Sequence, residues 1–149
     1  MGFQADIVIR GAGGQPVAIV ELKNWKDLTP DVGAELRRGL TASHSIGPQI
    51  PFFLLLSQEK GFLWHGPPAD STDQPACAFS MTEVIRYYLP DLGADQWLGP
   101  DSFRLVVLQW LYDLIDGKRG EESEAERALA EGGLFAVLWG AGIMEEVAV

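Results

Sequence analysis

The chain has 149 residues, a length that fits one domain with its own hydrophobic core. No apolar run reaches the ~18 to 20 residues of a membrane-spanning helix, and the single cysteine, Cys77, excludes an internal disulfide and a cysteine-based zinc site. We therefore expect one cytoplasmic domain over residues 1–149, without a membrane span or a secretory signal.

The charge of the chain is distributed unevenly. The net charge is −10, but residues 1–60 contain six basic and six acidic groups, so the whole excess lies beyond residue 60. Nucleic-acid binding gains much of its affinity by neutralising phosphates, so this excess disfavours an autonomous DNA-binding protein. This argument is weaker if a metal neutralises active-site carboxylates and a local basic rim lies beside them.

Two β-rich runs begin the chain, at residues 6–10 and 17–23, with a glycine-rich segment between them. Gly13 and Gly14 at its centre predict a two-residue hairpin turn. Such a turn places Asp6 opposite Glu21, with Cβ atoms about 4.5 to 5.5 Å apart. Lys23 would project from the same face, because strand side chains alternate with period two.

Two carboxylates at this distance repel each other unless a positive charge lies between them. A hard divalent cation would meet this need, and so would the Lys23 ammonium. Residues 17–22 are almost wholly apolar apart from Glu21, which is typical of a strand covered on both faces. A metal site is therefore favoured, and the alternative is a surface ion pair on an exposed sheet face.

Ala5-Asp6 followed by Glu21-Leu22-Lys23 resembles the motif of the PD-(D/E)xK nuclease superfamily, whose fold is restriction-endonuclease-like. The resemblance implies that Asp6, Glu21 and the main-chain carbonyl of Leu22 bind Mg²⁺ or Mn²⁺. It also implies that Lys23 orients or activates the attacking water.

The elements that follow extend this resemblance. Thr29-Pro30-Asp31 predicts a helix start, and the helix would run to about Ser45. Residues 51–57 and 62–65 read as two further strands. The order over residues 3–65 is similar to the N-terminal nuclease domain of type I restriction-enzyme motor subunits. The implied fold is α/β, with a restriction-endonuclease-like central mixed β-sheet flanked by helices.

Four further side chains are candidates for contact with nucleic acid. Lys26, Arg37 and Arg38 would form a basic rim beside the carboxylates, and the alternative for them is ordinary solvated surface. His44, near the end of the first helix, would lie close to the site or cap the helix C-terminus.

The remainder, over residues 80–149, reads as a helical and acidic elaboration after a loop at 66–75. Ser80 to Glu83 fits a capping box and predicts a helix over 81–89. Apolar residues at helical spacing predict another helix from Pro100 to Gly117, with Phe103, Val106, Val107, Trp110, Leu111 and Leu114 on its stripe.

Three more elements are predicted at the end of the chain. An acidic first turn favours a helix from Glu121 to Gly132. A short helix is expected over 134–139 and a terminal strand over 143–149.

The predicted function is a Mg²⁺-dependent nuclease that hydrolyses phosphodiester bonds of DNA, acting as a homodimer or within a larger assembly. The alternative is an inactive interaction module that docks a partner through its acidic helical half. Superfamily members often carry a helix before the Asp-bearing strand, whereas only five residues precede Asp6. Later elements or a partner chain would replace that helix, or the chain is a shortened form.

Overall fold

The computed structural model describes residues 6–42, 50–66, 74–138 and 140–145. Its strands and helices are β1 Ile7–Arg10, β2 Pro16–Leu22, α1 Pro30–Ala42, β3 Phe52–Leu56, β4 Lys60–His65, β5 Cys77–Ser80, α2 Thr82–Tyr88, α3 Pro100–Ile115, α4 Glu124–Glu131, α5 Leu134–Leu138 and β6 Gly142–Glu145. The strands form one sheet in the order β5-β4-β3-β2-β1-β6. Only β2 and β3 pair in parallel, across the α1 connection. The protein is therefore mixed α/β, with a six-stranded mixed sheet flanked by helices.

Successive strand side chains point to opposite sides of the sheet. Helices cover both sides, so both faces are buried. Helix α1 covers one face, where Val32 and Leu36 pack on Val8, Ile19 and strand residues of β3 and β4. We call this side the α1 face. Helices α2 to α5 cover the other face. This cover comes from elements late in the chain. No helix in the described ranges is long and apolar enough to cross a membrane.

The first hairpin differs from its prediction at the turn. Residues 11–15 form a five-residue loop, in which the Gly11 N–H donates to the Gln15 carbonyl at 2.8 Å. Next to this loop, the pairing of β1 with β2 has a register irregularity between Ile9 and Arg10. Beyond the irregularity, Ile7 lies opposite Val20. The two-residue turn is thus wrong, but this irregularity offsets the longer loop. The register therefore still brings the positions of Asp6 and Glu21 opposite each other.

The predicted helix to about Ser45 is found as α1 and is described as far as Ala42. Residues 43–49 lie outside the described residues. The strand β5 was not predicted, because residues 77–80 lack a clear alternation of apolar and polar side chains. It pairs with β4 and forms one edge of the sheet.

The predicted capping box at Ser80 is wrong. Helix α2 begins after Met81, which makes no side-chain cap bond. Ser80 belongs to β5, and Glu83 Oε1 accepts from the Glu124 main chain at 3.2 Å. The capping box lies instead at the start of α4.

The predicted apolar stripe of α3 is confirmed, since Phe103, Val107, Trp110 and Leu111 are almost wholly buried. The predicted strand over 143–149 is found in its described part, and residues 146–149 lie outside the described residues. It begins at Gly142 as β6 and pairs with β1.

Gly33 sets the approach of α1 to the sheet. A Cβ at this position would lie 2.1 Å from Trp64 Cη2, and Trp64 is buried among other rings. Alanine normally favours a helix by about 1 kcal/mol over glycine, but overpacking costs about 1 to 3 kcal/mol. We therefore expect Gly33→Ala to lower the free energy of unfolding in urea titrations. Gly120→Ala is the control, because a Cβ there meets nothing within 4 Å. Equal stability of the two variants would contradict this packing.

Candidate metal centre

The structure brings Asp6 and Glu21 together where β1 begins and β2 ends. The Asp6 N–H donates to Glu21 Oε1 at 3.1 Å. The Leu22 N–H donates to Asp6 Oδ2 at 2.8 Å. Each carboxylate is therefore oriented by the main chain of the opposite strand. By the strand alternation, both belong to the α1 face.

Glu21 is only 3% exposed. Burial raises its pKa to about 8, and the Asp6 charge and a hydrogen bond between the two carboxyl groups act in the same direction. The Asp6 N–H and the Lys23 charge oppose this rise more weakly. At neutral pH, Glu21 thus carries a proton that it holds beside the Asp6 carboxylate. A cation entering this site would replace that proton.

Lys23 does not lie between the two carboxylates, where the alternative to a metal cation placed it. Its Nζ lies 5.6 Å from the centroid of the Trp25 ring, in a cation–π contact. Lys23 forms no ion pair with Asp6 or Glu21 in the part of the chain that the structure describes. Its charge still acts on the Glu21 pKa, as the smallest of the causes. The positive charge that the two acids need is therefore supplied by a proton, not by lysine.

The Leu22 carbonyl is the third predicted ligand. The N–H and C=O of one strand residue face the same neighbouring strand, and the Leu22 N–H faces Asp6. Its carbonyl therefore lies on the Asp6 side. Among the described residues there is no group of three or more His, Cys, Asp or Glu side chains placed to hold a metal. Two carboxylates and a carbonyl nevertheless fit Mg²⁺, which usually keeps several waters in its coordination sphere.

Arg104 reaches this site from α3. One of its terminal nitrogens donates to the Asp6 carbonyl at 3.1 Å. The contact joins residues 98 positions apart, so no local pattern could have predicted it. It ties the residue that carries the first carboxylate to the helical half of the chain.

Arg37 is not part of a basic rim. It is only 4% exposed. Its guanidinium donates to the Gly66 carbonyl at 2.6 Å and lies near the rings of Phe53 and Trp64. Position 37 of α1 faces the sheet, so the Arg37 side chain packs between α1 and strands β3 and β4 instead of meeting solvent. Its role in this structure is to hold α1 in place.

The other three candidates for substrate contact have different environments. Arg38 is exposed on α1. Lys26 is exposed as well, and its Nζ lies 5.3 Å from the centroid of the Trp97 ring. His44 lies outside the described residues. Only Lys26 is thus close in sequence to the carboxylates and paired with an aromatic ring.

An amide network beside the site was missed from the sequence. The side chain of Gln58 donates to the Leu98 carbonyl at 2.9 Å and accepts from the Leu98 N–H at 3.0 Å. Asn24 Nδ2 donates to the same carbonyl at 2.9 Å, and Gln58 also donates to Asn24 Oδ1. The network holds the loop before α3 against the segment that follows Lys23. Its members are 34 to 74 positions apart, so sequence spacing gives no signal for it.

Known proteins give no assignment for this site. Comparison of the chain with protein-family models, with curated proteins and with solved structures finds no match.

Proposed function

We propose that this protein is a Mg²⁺- or Mn²⁺-dependent nuclease of the PD-(D/E)xK type that hydrolyses phosphodiester bonds of DNA. The observation that carries the proposal is the pair formed by half-buried Asp6, just before β1, and buried Glu21, near the end of β2. Lys23 follows on the same strand face. An antiparallel β1–β2 pair, a helix and a parallel β3 are also compatible with a restriction-endonuclease-like core.

Each residue of the proposed site would have its own role in hydrolysis. Asp6, Glu21 and the Leu22 carbonyl would hold the cation, and Glu21 would release its proton as the cation binds. A bound Mg²⁺ would supply Lewis-acid stabilisation of the charge that develops on the phosphate. The Lys23 ammonium would leave the Trp25 ring and donate to a phosphate oxygen or to the attacking water.

Calorimetric titration of Mn²⁺ tests the site without assuming a substrate. Because Glu21 has a pKa of about 8, the apparent affinity should rise up to about tenfold per pH unit between pH 6 and 8 and level off above. Asp6→Ala should abolish binding, whereas Glu35→Ala, which removes an exposed carboxylate on α1, should bind as the wild type does. Wild-type protein without affinity for Mn²⁺, or an unaffected Asp6→Ala variant, would refute the metal centre.

Cleavage assays test the activity itself. Single-stranded DNA, duplex DNA and RNA would each be incubated with Mg²⁺ or Mn²⁺, beside Glu21→Ala and Lys23→Ala. Each variant should lose at least about 100-fold in rate, since removing one group that stabilises the transition state usually costs this much. Cleavage that persists in both variants would remove the proposed site.

An inactive interaction module is the second candidate. The helical half exposes three large side chains, Tyr87, Leu105 and Tyr112, amid an excess of acidic residues. A partner protein or a second copy of the chain would bury them. This candidate is favoured if the protein binds no Mn²⁺ and cleaves none of the substrates.

A further inference from the structure

A groove of about 560 Å³ lies beyond the C-terminal ends of the central strands β2 and β3. Its lining residues include Lys26, Gln58, Arg86 and Trp97. We propose that this groove, together with Trp25, the chain neighbour of its lining residue Lys26, binds the unpaired bases of a single-stranded nucleic acid. The inference deepens the proposed function and rests on it for the role of the metal centre.

Two lysines lie against two tryptophans in and beside this groove. Trp25 is 52% exposed, an unusual exposure for so large an apolar ring, and the Lys23 ammonium lies against it. Lys26 lies against Trp97 in the same way. Proteins that hold single strands combine such pairs, with rings that stack on bases and cations that meet the phosphates. We call Trp25 and Trp97 the stacking pair.

The amide network gives the stacking pair a fixed base. Gln58 is only 6% exposed, and its side chain bonds both the N–H and the carbonyl of Leu98, the residue after Trp97. Asn24, the residue before Trp25, bonds the same carbonyl. The two tryptophans are thus attached to backbone that is already tied together. A surface ordered before the ligand arrives loses less entropy on binding.

The balanced charge of the groove favours the binding of a single strand over that of a duplex. Lys26 and Arg86 line it together with Glu59 and Asp95, so its formal charge is balanced. Duplex DNA is held mainly through its phosphates, and a neutral groove in a protein of net charge −10 offers them little. Stacking depends on the faces of the bases and not on net charge. The composition of the groove therefore favours unpaired bases.

Fluorescence anisotropy with labelled 15-mers tests this inference at pH 7 in EDTA, where cleavage is prevented. We expect oligo-dT or oligo-U to bind more tightly than a 15-base-pair duplex. Trp25→Ala and Trp97→Ala should each weaken single-strand binding by about 5- to 150-fold, and Trp→Phe at either position should retain most of it. Tyr112→Ala, which removes an exposed ring on α3, is the matched control and should bind as the wild type does. The comparison of DNA with RNA identifies the preferred strand.

The salt dependence is a second readout. Among the described residues, Lys26 and Arg86 line the groove and Lys23 lies on Trp25, so three cations would meet the phosphates and the slope of log affinity against log salt should be about 2 in magnitude. Binding of the duplex as tight as that of the single strand would overturn the inference. So would wild-type protein that binds neither single strand, or tryptophan variants that behave like Tyr112→Ala.

Mn²⁺ titration separates this inference from the nuclease proposal. The tryptophan variants should bind Mn²⁺ as the wild type does, because neither ring contributes a ligand. If Asp6→Ala binds Mn²⁺ normally while the tryptophan variants lose the single strand, the metal centre is wrong and the stacking pair stands. If Asp6→Ala loses Mn²⁺ while the tryptophan variants keep the single strand, the stacking pair is wrong and the metal centre stands.

Discussion

Replacing Glu21 with glutamine is expected to stabilise the metal-free protein by on the order of 4 to 5 kcal/mol above pH 8. The pKa of Glu21 is about 8 in the folded protein, against 4.5 for an ordinary glutamate. At about 1.4 kcal/mol per pKa unit, this difference measures the cost of keeping an ionised carboxylate in the buried site. The introduced amide is neutral and can donate to Asp6 as the protonated acid does.

The sign follows from the two protonation equilibria. Below pH 4.5 the folded and unfolded states both hold the Glu21 proton, so the residue contributes no pH dependence. Between pH 4.5 and 8 the unfolded state loses the proton and the folded state keeps it, so stability falls as pH rises. Above pH 8 both states are ionised and the loss is complete.

Urea unfolding in EDTA at pH 5, 7 and 9 would measure this effect as the difference between the wild type and Glu21→Gln. Glu35→Gln is the control, because its carboxylate is exposed and its difference from the wild type should not vary with pH. A difference for Glu21→Gln that is the same at pH 5 and pH 9 would show that the carboxylate is solvated. With Mn²⁺ in excess the order should reverse, since only the wild type retains both carboxylates for the cation.

Arg119→Ala is expected to cost about 3 to 5 kcal/mol of unfolding free energy, because it leaves a buried carboxylate without its charge partner. Glu126 is wholly buried, and Arg119 donates to it twice, at 2.7 and 3.0 Å. Trp110 Nε1 donates at 2.7 Å and the Ser123 N–H at 2.8 Å. Arg119 also stacks on Tyr87, with 3.9 Å between the guanidinium carbon and the ring centroid. These bonds join α3 to α4.

The lowered pKa of Glu126 gives the Arg119–Glu126 ion pair a pH dependence of stability opposite to that of Glu21. Burial alone would raise that pKa, but the bonds from Arg119, Trp110 and Ser123 outweigh burial and lower it. The pair therefore contributes its stability above the ordinary glutamate pKa, and the contribution is lost as pH falls through the lowered value. Acid should destabilise the wild type more than it destabilises Arg119→Ala.

Chemical unfolding at pH 7 would measure the loss, with Arg127→Ala as the matched control on the exposed side of α4. A loss below 1 kcal/mol would contradict the buried ion pair. The contacts that the structure gives for Arg119 are with Glu122, Glu126 and Tyr87, none of which is a proposed metal ligand. Mn²⁺ affinity of folded Arg119→Ala should therefore equal that of the wild type.

Local pattern was sufficient for the features that depend on near neighbours in the chain. The apolar spacing in residues 100–115 predicted α3, because helical periodicity fixes which side chains share a face. The glycine-rich segment after Arg10 predicted an antiparallel hairpin. The predicted two-residue turn is wrong, but the register irregularity between Ile9 and Arg10 offsets the longer loop and keeps Asp6 opposite Glu21. These two residues are 15 positions apart, and the hairpin that joins them needs no distant element to set its register.

Tertiary packing decided what lies around that pair. Arg37 lies on the buried side of α1 and not at a basic rim. The contacts between α1 and the sheet determine which positions of the helix meet solvent. The raised pKa of Glu21 depends on cover from elements that follow it in the chain. Gln58 and Asn24 acquire their role only when the loop at Leu98 folds back on them. Such contacts join residues 29 to 98 positions apart, so they form only once the sheet and its helices pack together.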